Sequence, residues 1–182
     1  MSSSSPGARR PTAFLAAALV VVAPLLTAAC GFRPLLGDPR APGSPVGALG
    51  AIKVDAIPDR LGRLVRNNLL DRLSPRGEPG KPLYRLTVVL NESKEGLAIR
   101  SDEIVTRFNL RLVADFELRD TRTGARLMKG QTRSIASYSV VRSDYANLSA
   151  ERDAETRTAR EISDEIAMRL AVYFTRTDDR RS

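Results

Sequence analysis

From Arg107 to Arg119 the chain runs in period two, the longest such run it contains. Phe108, Leu110, Leu112, Ala114, Phe116 and Leu118 fall on one side of an extended backbone. Arg107, Asn109, Arg111, Asp115, Glu117 and Arg119 fall on the other. A strand with one apolar and one charged face belongs in a sheet covered on one side only, the habit of antiparallel sheets. The rest of the fold has to supply a layer for the apolar side.

The flanking sequence supplies the sheet first. Asp120-Thr121-Arg122-Thr123-Gly124 has turn chemistry, with Gly placed for positive φ. Leu127 to Ser139 follows as a Ser/Thr-rich strand near an edge, which makes a hairpin. Upstream, Leu83 to Asn91 alternates with Tyr84, Leu86, Val88 and Leu90 on one face, and Glu92 to Glu95 with Gly96 reads as a loop or bulge. Ile52 to Ile57 also alternates and is a plausible first strand.

Two segments supply the covering layer. Leu61, Leu64, Val65, Leu69 and Leu73 recur at helical spacing between Arg60 and Leu73. Asp59 is a candidate N-cap, Ser74-Pro75-Arg76-Gly77 ends the helix, and Arg60, Arg63, Arg66 and Asn67 lie off the stripe as a solvated face. A long helix follows from about Asn147 to Thr175. Ile162, Ile166, Leu170 and Phe174 are four apart, with Ala159 and Tyr173 beside them and Ala150 and Ala154 extending the stripe. Those small residues imply close approach to a sheet or a second helix. The expected fold is α+β: two helices packed on one face of a mixed or antiparallel sheet of about four strands.

The first 29 residues read differently. Arg9 and Arg10 precede an almost wholly apolar stretch, Ala13 to Ala29, broken only by Pro24 and Thr27. A charged segment followed by a short apolar one is a secretory signal, too short for an ordinary membrane span. It closes on Leu26-Thr27-Ala28-Ala29-Cys30-Gly31, which resembles a bacterial lipobox with Thr27 at the usual Leu position. Cys30 is the only cysteine in the sequence. It is the expected lipidated first residue of the mature protein. Residues 31–50 alternate Gly and Pro and read as a tether that cannot hold a helix. The expected organisation is a signal at 1–29, a lipid-anchored tether at 30–50, one α+β domain at 51–176 and a frayed tail at 177–182.

Composition removes several function classes. The sequence has no His and one Cys, which excludes an internal disulfide, Cys/His zinc sites and Ser-His-Asp or Cys-His catalysis. Losing Arg9 and Arg10 with the signal lowers the net charge from +8 to +6. That balance favours anionic partners, and export leaves phospholipid or phosphorylated glycolipid rather than nucleic acid. No cofactor is implied. Glu151 with Asp153 and Asp164 with Glu165 are carboxylate pairs available to an enzyme, but exposed helix positions salted to Arg152 or Arg169 account for them.

Several short motifs, in order, carry a family resemblance. They are Cys30-Gly31-Phe32-Arg33-Pro34-Leu35-Leu36-Gly37, the turn Asp120 to Gly124, Ser137-Tyr138, Asp144-Tyr145-Ala146, Glu151-Arg152-Asp153-Ala154, and the closing Asp164 to Phe174. Together they resemble the alphaproteobacterial form of the lipopolysaccharide-assembly lipoprotein family, LptE. The resemblance covers nearly the whole mature chain. It implies a non-enzymatic outer-membrane lipoprotein on the periplasmic side. Such a protein plugs and helps assemble an LptD-type β-barrel and assists lipopolysaccharide insertion into the outer leaflet. Gly31, rather than Asp, after the cysteine fits transport to the outer membrane.

Binding lipid A phosphates requires cations, and the planar fork of arginine suits phosphate oxygens. The candidates are Arg107 and Arg111 on the wet side of the long strand, with Lys129 and Arg133 on its neighbour. The competing account makes them edge gatekeepers or ion partners of Asp115 and Glu117. A stand-alone periplasmic lipoprotein that binds lipid or assists an ABC-type exporter remains the alternative at this point.

Overall fold

The computed structural model describes residues 45–97 and 107–179. Seven elements run in order: α1 (Pro45–Gly50), β1 (Ile52–Val54), α2 (Asp59–Leu73), β2 (Tyr84–Leu97), β3 (Arg107–Asp120), β4 (Arg126–Ser139) and α3 (Asp144–Asp179). The sheet has four strands in the order β1-β2-β3-β4. β1 runs parallel to β2, and the other neighbours are antiparallel. α2 and α3 cover one face. This is the α+β architecture expected from the sequence, with its mixed sheet and two long helices.

The alternation of β3 places its apolar side under the helices. Leu110, Leu112, Ala114, Phe116 and Leu118 are buried there. Leu112, Ala114, Phe116 and Leu118 meet Leu86 and Val88 from β2, Leu61, Val65, Leu69 and Leu73 from α2, and Ile162, Ile166, Leu170 and Phe174 from α3. Gly130 lies opposite Phe116 in the register, and a Cβ there would stand 2.6 Å from the ring. Glycine is what lets β4 lie flat beneath that ring. The small residues on α3 bring the two helices together, as anticipated: the buried Ser163 hydroxyl donates to Ala159 O on its own helix and lies 3.2 Å from Val65 O on α2.

The β3–β4 turn is held by its first residue. Asp120 Oδ1 accepts hydrogen bonds from the Arg122 and Thr123 amides, and Gly124 closes the turn at φ +70°.

Four expectations are corrected. The tether does not extend to Gly50, because Pro45–Gly50 forms a short helix whose Leu49 is buried in the core. Proline is tolerated at a first helical position, where its missing N–H has no partner to lose. Asp59 is not the N-cap of α2. Pro58 holds that position with no side-chain cap, and Asp59 lies in the first turn at φ +67°. Glu92 to Gly96 is neither loop nor bulge, since β2 continues in unbroken register with β3 to Leu97. The last helix starts three residues earlier than expected and runs to Asp179, into the expected tail. The signal segment, Cys30 and the motif behind it lie outside the described residues.

The extension of β2 leaves the two halves of the sheet unequally covered. α2 has 15 residues, about 22 Å of helix, against strands of 14 residues, about 46 Å. It covers only the half of the sheet beside β1. In the other half, α3 alone packs on the strands, with Leu110, Ala136, Ala154 and Tyr138 forming a small second cluster.

Candidate functional site

The face of the sheet opposite the helices carries no covering layer among the described residues. It is built from the odd-numbered residues of β2, β3 and β4, set in rows by the register. One row holds Asn91, Val113 and Arg133; the next holds Ser93, Arg111 and Ile135. Glu95, Asn109 and Ser137 come next, then Leu97, Arg107 and Ser139.

This register decides which of the four expected cations meet. Arg111 and Arg133 are diagonal neighbours on adjacent strands, at about the 7–8 Å spacing of such pairs. Arg107 is two rows beyond Arg111 on the same strand. Lys129 stands apart, opposite Glu117 at the other end of the face. The sheet therefore assembles Arg107, Arg111 and Arg133 toward one end and leaves Lys129 beside a carboxylate.

The ion pairs differ from those expected. Arg111 approaches Glu95 of β2 at 3.9 Å, while Asp115 accepts from Gln131 and Glu117 pairs with Arg119. The Arg111 Nε is buried and has no hydrogen-bond partner among the described residues. Among those residues Arg107 and Arg133 make no salt bridge. Exposed apolar side chains are interleaved with these cations: Val89 is 56% exposed, Ile135 49% and Leu97 42%. The surface thus offers guanidinium groups near single exposed aliphatic side chains.

The carboxylates considered for catalysis are engaged elsewhere. Glu151 pairs with Lys94, Asp153 with Arg157, Asp164 with Arg72 of α2, and Glu165 with Arg169. The described residues contain no His/Cys/Asp/Glu cluster able to hold a metal. No described helix is long and apolar enough to cross a membrane.

One polar cluster was not anticipated. Lys94 lies on the inner face of β2, between Glu92 at 3.2 Å and Glu151 of α3. The Glu151 hydrogen bond is the main reason its pKa rises above 10.5, with burial acting against it. Tyr138, on β4 in the same half of the sheet, has its pKa raised by burial first and by Glu151 second. The sequence signal was present in the even-numbered spacing of Glu92 and Lys94 after Leu90, which continues the inner-face alternation.

The comparisons with known proteins agree with this architecture. The family model described as LptE, lipopolysaccharide-assembly, matches residues 49–170. A crystal structure assigned as a lipoprotein from Caulobacter crescentus CB15 is 30% identical. It covers 71% of this chain and 95% of its own at a TM-score of 0.61. A minor lipoprotein from Acinetobacter baumannii, at 16% identity and TM-score 0.50, covers 66% of this chain and 88% of its own. A lipoprotein B from Nitrosomonas europaea, at 14% and 0.51, covers 67% and 81%. The last two share the fold. No curated protein matches the chain. The model match spans most of the described domain, including the open face, α2 and α3 as far as Leu170, and the chain belongs to the LptE family of lipopolysaccharide-assembly proteins.

Proposed function

We propose that this protein is an outer-membrane lipoprotein, anchored through Cys30 on the periplasmic side. It plugs and helps assemble an LptD-type β-barrel and assists insertion of lipopolysaccharide into the outer leaflet. The reading combines family membership with one structural observation: a sheet face with no cover among the described residues, carrying Arg107, Arg111 and Arg133 among exposed aliphatic residues. Lipid A phosphates are the ligand chemistry that those guanidinium groups suit. The role is one of binding and positioning rather than catalysis, consistent with carboxylates already held in ion pairs.

Depletion is the test. Surface lipopolysaccharide should fall and the partner barrel should misassemble when this protein is removed from cells. Normal surface lipopolysaccharide after depletion would overturn the reading, and a stable monomer that never co-purifies with a barrel would favour the stand-alone lipoprotein. The anchor is tested separately. Cys30→Ser should move the protein from the membrane to the soluble periplasmic fraction, because acyl chains supply about 0.8 kcal/mol per buried methylene. Unchanged fractionation of a variant from which the signal is still removed would exclude lipidation at this residue.

A further inference from the structure

The two edges of the sheet are finished differently. β4 forms one edge, and α3 reaches over it. Arg169 donates to Gln131 O at 2.9 Å and Arg157 to Ser137 O at 3.4 Å. At the other edge β1 pairs with only three residues of β2, Tyr84 to Leu86, and its last bond is Asp55 N to Leu86 O. β2 then continues for eleven residues to Leu97. Tyr84 and Leu86 bond toward β1, and β2 has no bulge against β3, so by alternation Val88, Leu90, Glu92, Lys94 and Gly96 direct N–H and C=O groups outward. Among the described residues these groups have no backbone partner.

A groove runs beside this edge, with a volume of about 270 Å³. Ile57, just before α2, and Leu61 and Gly62 of its first turns form one wall, and Val88 and Leu90 of β2 the other. Asp59 and Glu92 are its charged lining residues. Glu92 and Glu151 share the single ammonium of Lys94, and Asp59 makes no salt bridge among the described residues. This corner of a basic protein is thus locally acidic.

We propose that the free edge of β2, Val88 to Leu97, takes an added strand from the barrel partner: an extended segment in which an apolar residue is flanked by Lys or Arg. The inference rests on the barrel reading. A row of peptide groups at strand spacing is satisfied by another backbone, not by lipid. The apolar groove accepts one inward side chain of that strand, and Asp59 with Glu92 selects the cations beside it. A second copy of this chain is a poor occupant. Pairing β2 with β2 antiparallel about Glu92 would set glutamates against each other, which is destabilising. The β4 edge of a second copy is already occupied by Arg157 and Arg169.

The test uses wild-type protein, free and in complex with the co-expressed barrel, with amide exchange read at single residues. In the free protein the amides of Leu90, Glu92 and Lys94 exchange fast, while their odd-numbered neighbours, bonded to β3, exchange slowly. In the complex the even-numbered amides should slow by about tenfold or more, giving an unbroken protected strand. Equal rates in the two states overturn the proposal. A proline probe adds a second measurement, since an edge strand tolerates Pro where the N–H faces outward. Glu92→Pro should lower co-purification with the barrel by about tenfold or more, whereas Glu92→Ala, which removes one selecting carboxylate but keeps the outward N–H, should lower it by no more than about threefold. Equal recovery of the two variants overturns strand addition while leaving the barrel reading intact. Failure of wild type to recover a barrel overturns both.

Discussion

The two faces of this sheet come from alternate residues of the same strands, and they have opposite properties. On β3, Leu112, Ala114 and Phe116 face the helices and are essentially inaccessible, while Arg111, Val113, Asp115 and Glu117 between them remain partly open. The inner face is fixed by packing: a ring against a glycine, helix stripes against strand residues, aromatic pairs such as Tyr84 with Phe174 at 4.9 Å. The outer face is held by the backbone ladder and a few exposed ion pairs, which contribute little to stability. Side chains there are free to be selected for contact with something else. The difference places the folding energy on one face and leaves the other for the binding role proposed for it, and substitutions on each should separate cleanly.

The largest expected effect is at the centre of the inner face. Phe116→Ala should destabilise the domain by about 3–5 kcal/mol, read as the midpoint of denaturant unfolding. A loss below about 1 kcal/mol would mean that the inner face is not the main source of stability. Gly130→Ala comes next. The added methyl meets the Phe116 ring at 2.6 Å with no room for the ring to retreat, and about 1–3 kcal/mol should be lost. Wild-type stability in that variant would show that the ring is not confined.

A smaller effect concerns pH. Two backbone amides, Thr123 first and then Arg122, hold the Asp120 carboxyl below its usual 3.8. A depressed carboxylate contributes stability that is fully present above its unfolded value and is lost as pH falls through the folded one. Asp120→Asn should therefore flatten the acid limb of the stability profile below about pH 4. An acid limb identical to that of wild type would remove the turn from this account. The smallest effect belongs to the outer face: Arg107→Ala, Arg111→Ala and Arg133→Ala should each change stability by within about 0.5 kcal/mol. A larger loss at Arg111 would mean that its contact with Glu95 is structural.

Most of the inner face was legible in the sequence, because helix and strand periods are written directly in Leu61 to Leu73, Arg107 to Arg119 and Ile162 to Phe174. The misreadings share a cause. Glu92 and Lys94 point inward yet are polar, because α2 is too short to cover them. Their strand is maintained by backbone bonds to β3, which leave no hydrophobic signature. Pro45–Gly50 has a linker composition, and one buried residue, Leu49, secures it to the core. On the outer face the residue types were readable but their grouping was not. Which cations meet depends on register: Arg111 stands opposite Ile135 and diagonal to Arg133, while Lys129 falls opposite Glu117. Alternation gives the side of a strand and carries no information about its stagger against a neighbour.

The central claim, that the open face is the lipopolysaccharide-binding face, is tested most directly by equilibrium binding of purified lipopolysaccharide. Wild type would be compared with the triple variant Arg107→Ala, Arg111→Ala, Arg133→Ala, each checked by thermal melting. The account predicts affinity lower by about tenfold or more, from lost charge-assisted hydrogen bonds, with a melting temperature within about 2 °C of wild type. Wild-type affinity in a triple variant that melts normally would contradict it.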